Sequence, residues 1–207
     1  MSRRRSNLQG EATRVALLET AEALFGRFGI ESVGTRQIGA TIGSSNTNIV
    51  TYYFGTKDAL VEEIIRYRGP AIERRRAELF EMAQKRGSVG LMDLLDCLNR
   101  PLLEQTNDAG ERSYAAFLAS LLRADRADIR LNLAQDYPVS SEIGELLRKA
   151  LPTRSGQAKI DRLFIVSDMI YSALHLIDHL RCGLGEAEEI FVDALNMMHA
   201  ALMVQSK

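Results

Sequence analysis

Apolar side chains recur at helical spacing along most of the chain. Ala12, Val15, Ala16, Ala21, Leu24, Phe25 and Phe28 follow a 3.6-residue period, which predicts a first helix over residues 10–28. Gly29 supplies its C-terminal stop. A very short helix is predicted over 35–41, with Gly34 as N-cap, Gln37 at the third helical position, and Ile38 and Ile42 sharing a buried face. Gly43-Ser44-Ser45 breaks the pattern, and a third short helix is predicted from about 46 to 54. Gly55-Thr56 turns the chain, and Thr56 caps a helix over 57–68 whose buried side is Leu60, Val61, Ile64 and Ile65. Helices this short are not stable alone in water, so tertiary packing must hold them. Two of them across a tight turn, between longer helices, form a helix-turn-helix arrangement.

The remaining pattern is also helical. Helices are predicted over 71–85, 89–103, 113–123 and 141–151, the last capped by Ser140. The segment 125–136 is shorter and ambiguous, and 152–156 reads as a loop. Two long helices, 157–181 and 186–204, end the chain, and no segment shows strand alternation, so the fold class is all-α. Phe164, Ile165, Ile170, Ala173, Leu174, Ile177 and Leu180 make the first of these apolar round much of its girth. Phe191, Val192, Leu195, Met198, Leu202 and Met203 do the same for the second. A surface helix has one apolar stripe. Wider coverage fits burial on two sides, against the helix's own domain and a second copy, or a helix wholly inside its domain. The first alternative places Phe164, His179, Phe191, Leu195, Met198 and Leu202 in a dimer interface.

Composition narrows the class. The 207 residues are 46% hydrophobic and 26% charged, which excludes a wholly disordered chain. Cys97 and Cys182 are too few and too distant for a disulfide framework or a metal knuckle. No apolar run reaches about eighteen residues, and the basic N-terminus lacks the apolar core of a signal peptide. The expectation is a cytoplasmic protein without a membrane span. The net charge of -1 hides an asymmetry, with +3 over residues 1–57 and -4 over the remainder. A basic end on a mildly acidic body suits docking on phosphates, although so small an excess can arise by chance.

Residues 13–65 resemble the tetracycline-repressor (TetR) family of bacterial regulators. The resemblance rests on Ala21 to Phe25, Phe28-Gly29, Thr35-Arg36-Gln37-Ile38 and Gly43. Above all it rests on Tyr52-Tyr53-Phe54-Gly55-Thr56-Lys57-Asp58-Ala59-Leu60. Two features depart from the common pattern. The interval from Gly43 to Phe54 is one residue longer, and Asn48-Ile49-Val50 replaces a glycine-containing turn. The resemblance implies three parts: a flexible basic tail over 1–9, a helix-turn-helix DNA-binding domain over 10–56, and a helical effector-binding and dimerisation body over 57–207.

It also places the third helix in the major groove of double-stranded DNA. The residue chemistry agrees, because Asn46, Thr47, Asn48 and Thr51 are short polar groups suited to base edges. Ser45 and Asn46 serve equally well as caps. Tyr53 matches the family's phosphate-contacting position, and Tyr52 beside it must point elsewhere. Lys57 stands at a helix start, where exposed N–H groups also favour an anion. Arg36 is a further phosphate or base candidate, Phe54 and Leu60 are core positions, and Arg3, Arg4 and Arg5 could line the minor groove or remain solvated.

For the body, the resemblance implies a pocket for a small, partly apolar effector. The candidate lining is Cys97, Asn99, Phe117, Leu121, Tyr171 and His175. His175, Asp178 and His179 share one helical face; a hydrogen-bond cluster at a dimer interface is favoured over a metal site. No metal, cofactor or catalytic residue is expected. The implied function is a homodimeric repressor on a pseudo-palindromic operator, released by its effector. Alternatives are a helix-turn-helix dimer without an effector, activation in place of repression, and an all-helical enzyme or carrier. The last leaves the aromatic triplet and Lys57-Asp58 unexplained.

Overall fold

The computed structural model describes residues 2–124, 126–152 and 156–204. These form α1 (Ser2–Phe28), α2 (Thr35–Thr41), α3 (Ile49–Phe54), α4 (Lys57–Arg86), α5 (Leu91–Glu104), α6 (Ser113–Arg123), α7 (Ala127–Asn132), α8 (Pro138–Ala150), α9 (Gly156–Leu180) and α10 (Leu184–Met203). A single 3-10 turn, Ala134–Asp136, follows α7, and the described residues contain no strand. The all-α class and the helix-turn-helix head are as the periodicity indicates.

The chain forms two compact units. The head comprises the residues up to Gly69 together with Ala116–Leu131, and the body comprises Pro70–Ala115 with the residues from Asn132 onward. The expected boundary at 56/57 therefore moves, and a segment from the middle of the sequence joins the head. Its packing explains why. Phe117 is fully buried with its ring centroid 6.3 Å from that of Phe25. The Ile30 N–H donates to Ser120 Oγ at 3.0 Å. Gly26 lies so close to α6 that an added Cβ would sit 2.9 Å from Ala116 Cβ.

The head core also includes Leu17, Leu18, Ala21, Ile38, Val50, Leu60, Val61 and Ile64. Each such leucine, isoleucine or valine contributes about 1.5–3 kcal/mol by leaving water. Glu22, only 1% exposed, lies among them on α1. Arg68 of α4 meets its carboxylate bidentately, Nε at 2.6 Å and Nη2 at 3.0 Å. A buried charge without such a partner would be strongly destabilising.

Several boundaries differ from expectation. The first helix extends back to Ser2 through the segment read as a flexible tail, which has no proline and no glycine before Gly10. Met1 lies outside the described residues. α4 continues through Pro70 instead of ending at Arg68. Proline removes one N–H but leaves the flanking turns bonded, and apolar burial of Ile65 and Ile72 on either side favours continuity. α8 begins at Pro138, whose missing N–H costs nothing in a first turn, so Ser140 lies inside the helix and not at its cap. Asp125 in the ambiguous segment and residues 153–155 of the expected loop lie outside the described residues.

In the body, Glu73 on α4 accepts the N–H of Val139 at 2.6 Å and that of Ser140, so a carboxylate tops the start of α8. Arg76, buried, donates to the Leu98 carbonyl and to Ser140 Oγ. Arg100 on α5 clasps Glu188 on α10 through two bonds of 2.9 Å, and its guanidinium lies over the Phe191 ring. α9 and α10 are antiparallel: Arg162 near the start of α9 donates to the Leu202 and Val204 carbonyls at the end of α10.

Those terminal helices correct the expected dimer face. Phe191, Leu195, Met198 and Leu202 are buried inside the single chain. They face the intramolecular side of α10 and form body core, while Phe164 is half-buried and His179 exposed. The wide apolar girth was real, but the outward apolar residues are others. They are Ile165, Leu176 and Leu180 on α9, with Leu184, Val192, Met197 and Met203 on α10.

Candidate nucleic-acid interface

α2 and α3 cross closely because Gly39, buried at the middle of α2, has no side chain. A Cβ there would lie 2.8 Å from Ile49 Cγ2. The turn between them starts at Gly43, whose φ of 74° is a conformation that glycine adopts without strain. Short polar side chains then brace the chain. The Asn46 N–H donates to Ser44 Oγ at 3.1 Å, and the Asn48 N–H donates to Asn46 Oδ1 at 2.9 Å. This bracing occupies the residues expected to open the third helix, so regular α3 begins at Ile49, not near Asn46. Asn48 stands at the N-cap and its carbonyl accepts the Tyr52 N–H at 2.9 Å.

Ser45, Asn46, Thr47, Asn48, Thr51 and Tyr52 are all exposed, as is Arg36 on α2. They present amide, hydroxyl and guanidinium groups from α2, the turn and α3, while Val50 anchors α3 from beneath. Of the two roles considered for Asn46, the structure shows a local bracing one, its side-chain oxygen accepting the Asn48 N–H ahead of α3. The adjacent tyrosines diverge: Tyr52 is 79% exposed, whereas Tyr53 is half-buried with its hydroxyl 3.8 Å from the Cβ position of Gly10. The two rings meet edge to face at 5.2 Å. Phe54 is half-buried beneath the Arg14 guanidinium, and Leu60 is fully buried.

Thr56 caps α4 by accepting the Ala59 N–H at 3.0 Å. Lys57 opens that helix half-buried, its Nζ 5.8 Å from the Phe25 ring centroid. Beside it Asp58 pairs with Arg126, which also bonds Glu31 at 3.0 Å. These two carboxylates hold the Arg126 guanidinium above its usual range, the hydrogen bond to Asp58 being the largest cause. Gly39 and Arg126 were not foreseen. A glycine in mid-helix was a readable signal for the first; nothing local marked the second.

The six expected effector residues fall in both units. Phe117 and Leu121 belong to the head core. In the body, Cys97, Asn99 and Tyr171 are buried, and His175 is exposed on α9. Asn99 donates to the Leu95 carbonyl one turn earlier on its own helix, at 2.8 Å. Burial pushes the Cys97 thiol up to about 11, so it behaves as a packed neutral group. The expected trio on α9 also divides. Asp178 accepts the Arg112 N–H at 2.7 Å and its guanidinium at 2.6 Å, while the His175 and His179 rings stack on the exposed side, 6.2 Å apart. Among the described residues no group of three or more His, Cys, Asp or Glu side chains is placed to hold a metal ion.

A braced turn carrying exposed amides and hydroxyls into a short, firmly seated helix defines a helix-turn-helix head. Residues 17–64 match the family model for bacterial regulatory proteins of the tetR family. The match covers most of the stretch that carries the resemblance, including the aromatic triplet and Lys57-Asp58. No curated protein matches the chain. Among solved structures, one described as "a putative transcriptional regulator from Rhodococcus sp. RHA1" is 23% identical. The alignment covers 92% of this chain and 95% of that one with a TM-score of 0.47, too loose a likeness to carry a functional statement.

Proposed function

We propose that this chain is a homodimeric, sequence-specific transcription repressor that reads a pseudo-palindromic operator with the turn and helix over residues 45–54. The observation that carries this reading is the exposed run Ser45, Asn46, Thr47, Asn48, Thr51 and Tyr52 on a support fixed by Gly39 and Val50. Asn48 and Thr51 are assigned to base edges. Arg36, Tyr52 and Lys57 are assigned to phosphates, with Tyr53 in a supporting position. A second copy supplies the matching half-site. The outward apolar residues of α9 and α10, from Ile165 to Met203, support dimerisation through the body. The protein works in the cytoplasm. α9 is long and apolar enough to cross a membrane by composition, with a mean hydropathy of 1.3, but it also packs along α10 as a core helix does.

Release by a small, partly apolar effector follows from the resemblance alone. A second reading, a helix-turn-helix dimer whose body only dimerises, is favoured by Asn99 being spent on the Leu95 carbonyl of its own helix and by His175 lying exposed. Neither reading is enzymatic. Titration of duplex DNA at several salt concentrations tests the division of labour. Asn48→Ala or Thr51→Ala should cost about 1–3 kcal/mol on the preferred sequence and little on random DNA. Lys57→Ala should weaken both and flatten the salt dependence. Equal losses on both DNAs for Asn48→Ala and Thr51→Ala would remove base reading from α3.

A further inference from the structure

We infer that Arg126 is a charge-masking residue for DNA binding, covering two carboxylates that would otherwise oppose the phosphates beside Lys57. The inference rests on the DNA-binding reading of the head. Arg126 comes from the stretch after α6, far in sequence from the helix-turn-helix, yet it is part of the head unit. Its own N–H donates to the Leu121 carbonyl at 3.1 Å, which fixes the backbone. Its guanidinium then spans Glu31, in the turn before α2, and Asp58, in the first turn of α4.

Asp58 has a structural reason to stand in the first turn of α4, where a negative charge is favourable, and Glu31 lies in the turn before α2. The same placement is unfavourable for a DNA-binding surface. Asp58 is the immediate neighbour of Lys57, and each carboxylate side chain is 63% exposed. Lys57, Asp58, Glu31 and Arg126 together carry no net charge; without Arg126 they carry one negative charge.

Magnitudes favour masking over tethering. Ion pairs with partners this exposed contribute little to holding two segments together. An uncovered charge facing a phosphate backbone changes affinity for every sequence and changes its salt dependence. Arg126 thus allows the head to keep these two acids without losing phosphate affinity.

The test uses the full-length chain, a labelled mixed-sequence DNA duplex and anisotropy titrations at several salt concentrations, with thermal melting of each variant as the folding control. The wild type is measured first, and failure to bind at low salt defeats the DNA-binding reading itself and this inference with it. Where the wild type binds, Arg126→Ala should bind about fivefold more weakly at low salt, with the difference shrinking as salt rises. Adding Glu31→Gln and Asp58→Asn to Arg126→Ala should return affinity to within about twofold of wild type, although the clamp is gone. A triple variant as weak as Arg126→Ala would assign the residue to tethering and overturn masking, as would an Arg126→Ala affinity equal to wild type. If Arg126→Ala does not fold, Glu31→Gln/Asp58→Asn with Arg126 intact decides alone. It should bind severalfold more tightly with a steeper salt dependence, and weaker or unchanged binding overturns the inference.

Discussion

Polar residues mean opposite things in the head and in the body. In the head, the polar run from Ser44 to Thr51 makes only local bonds, Ser44 to Asn46 to Asn48, and leaves its outer side free. In the body, polar groups embedded in apolar helices are held by distant partners or by their own helix. Asp178 is held by Arg112, Ser140 by Glu73 and Arg76, and Asn99 by the Leu95 carbonyl. A polar residue in the turn before a short helix is here locally bonded and exposed, as the proposed recognition role requires. One inside a long apolar helix is evidence of an internal anchor.

The comparison can be broken most forcefully through the two buried phenylalanines. Phe117→Ala should cost about 3–5 kcal/mol and, because the ring lies against Phe25, should impair DNA binding as temperature rises. Phe191→Ala should cost a similar amount in the body core. The mass in solution, read by sedimentation at temperatures where the protein is folded, should equal that of the wild type. Dissociation of the Phe191 variant without loss of stability would return that residue to the interface.

The head was legible because its signals are local. Gly29, Gly43 and Gly55 sit where φ is positive, Thr56 caps α4, and the Tyr-Tyr-Phe triplet fixes the frame. The start of α3 was misplaced because Asn46 braces a turn with its side chain, and amide and helix starts look alike in sequence. The body yielded its helices but not its pairings. The contacts of Arg112 with Asp178 and of Arg100 with Glu188 join residues far apart in sequence, and apolar periodicity carries no information about them. The transfer of Ala116–Leu131 to the head was hidden for the same reason: Phe117 and Leu121 read as ordinary buried positions of whichever helix layer they enter.

Smaller effects sharpen the contrast. Gly39→Val should cost about 1–3 kcal/mol by forcing α2 away from Ile49, and operator affinity should fall further than stability does. Gly55→Ala, at a φ of 76°, should cost about 1–2 kcal/mol with no steric clash, a pure backbone effect visible in chemical denaturation. His175→Gln with His179→Gln should leave stability within about 0.5 kcal/mol, as expected of exposed groups without an anchoring role. A larger loss would show that these histidines are anchored as Asp178 is.

The central claim is that the exposed polar run before and within α3 reads DNA sequence. Selection of bound duplexes from a random pool by the wild-type protein, repeated with Asn48→Ala/Thr51→Ala, tests it most directly. The expected result is enrichment of two matching half-sites related by a two-fold axis for the wild type, and loss of base preference at matching positions in both half-sites for the variant. A wild-type pool that stays random, or the same half-sites enriched by both proteins, would contradict it.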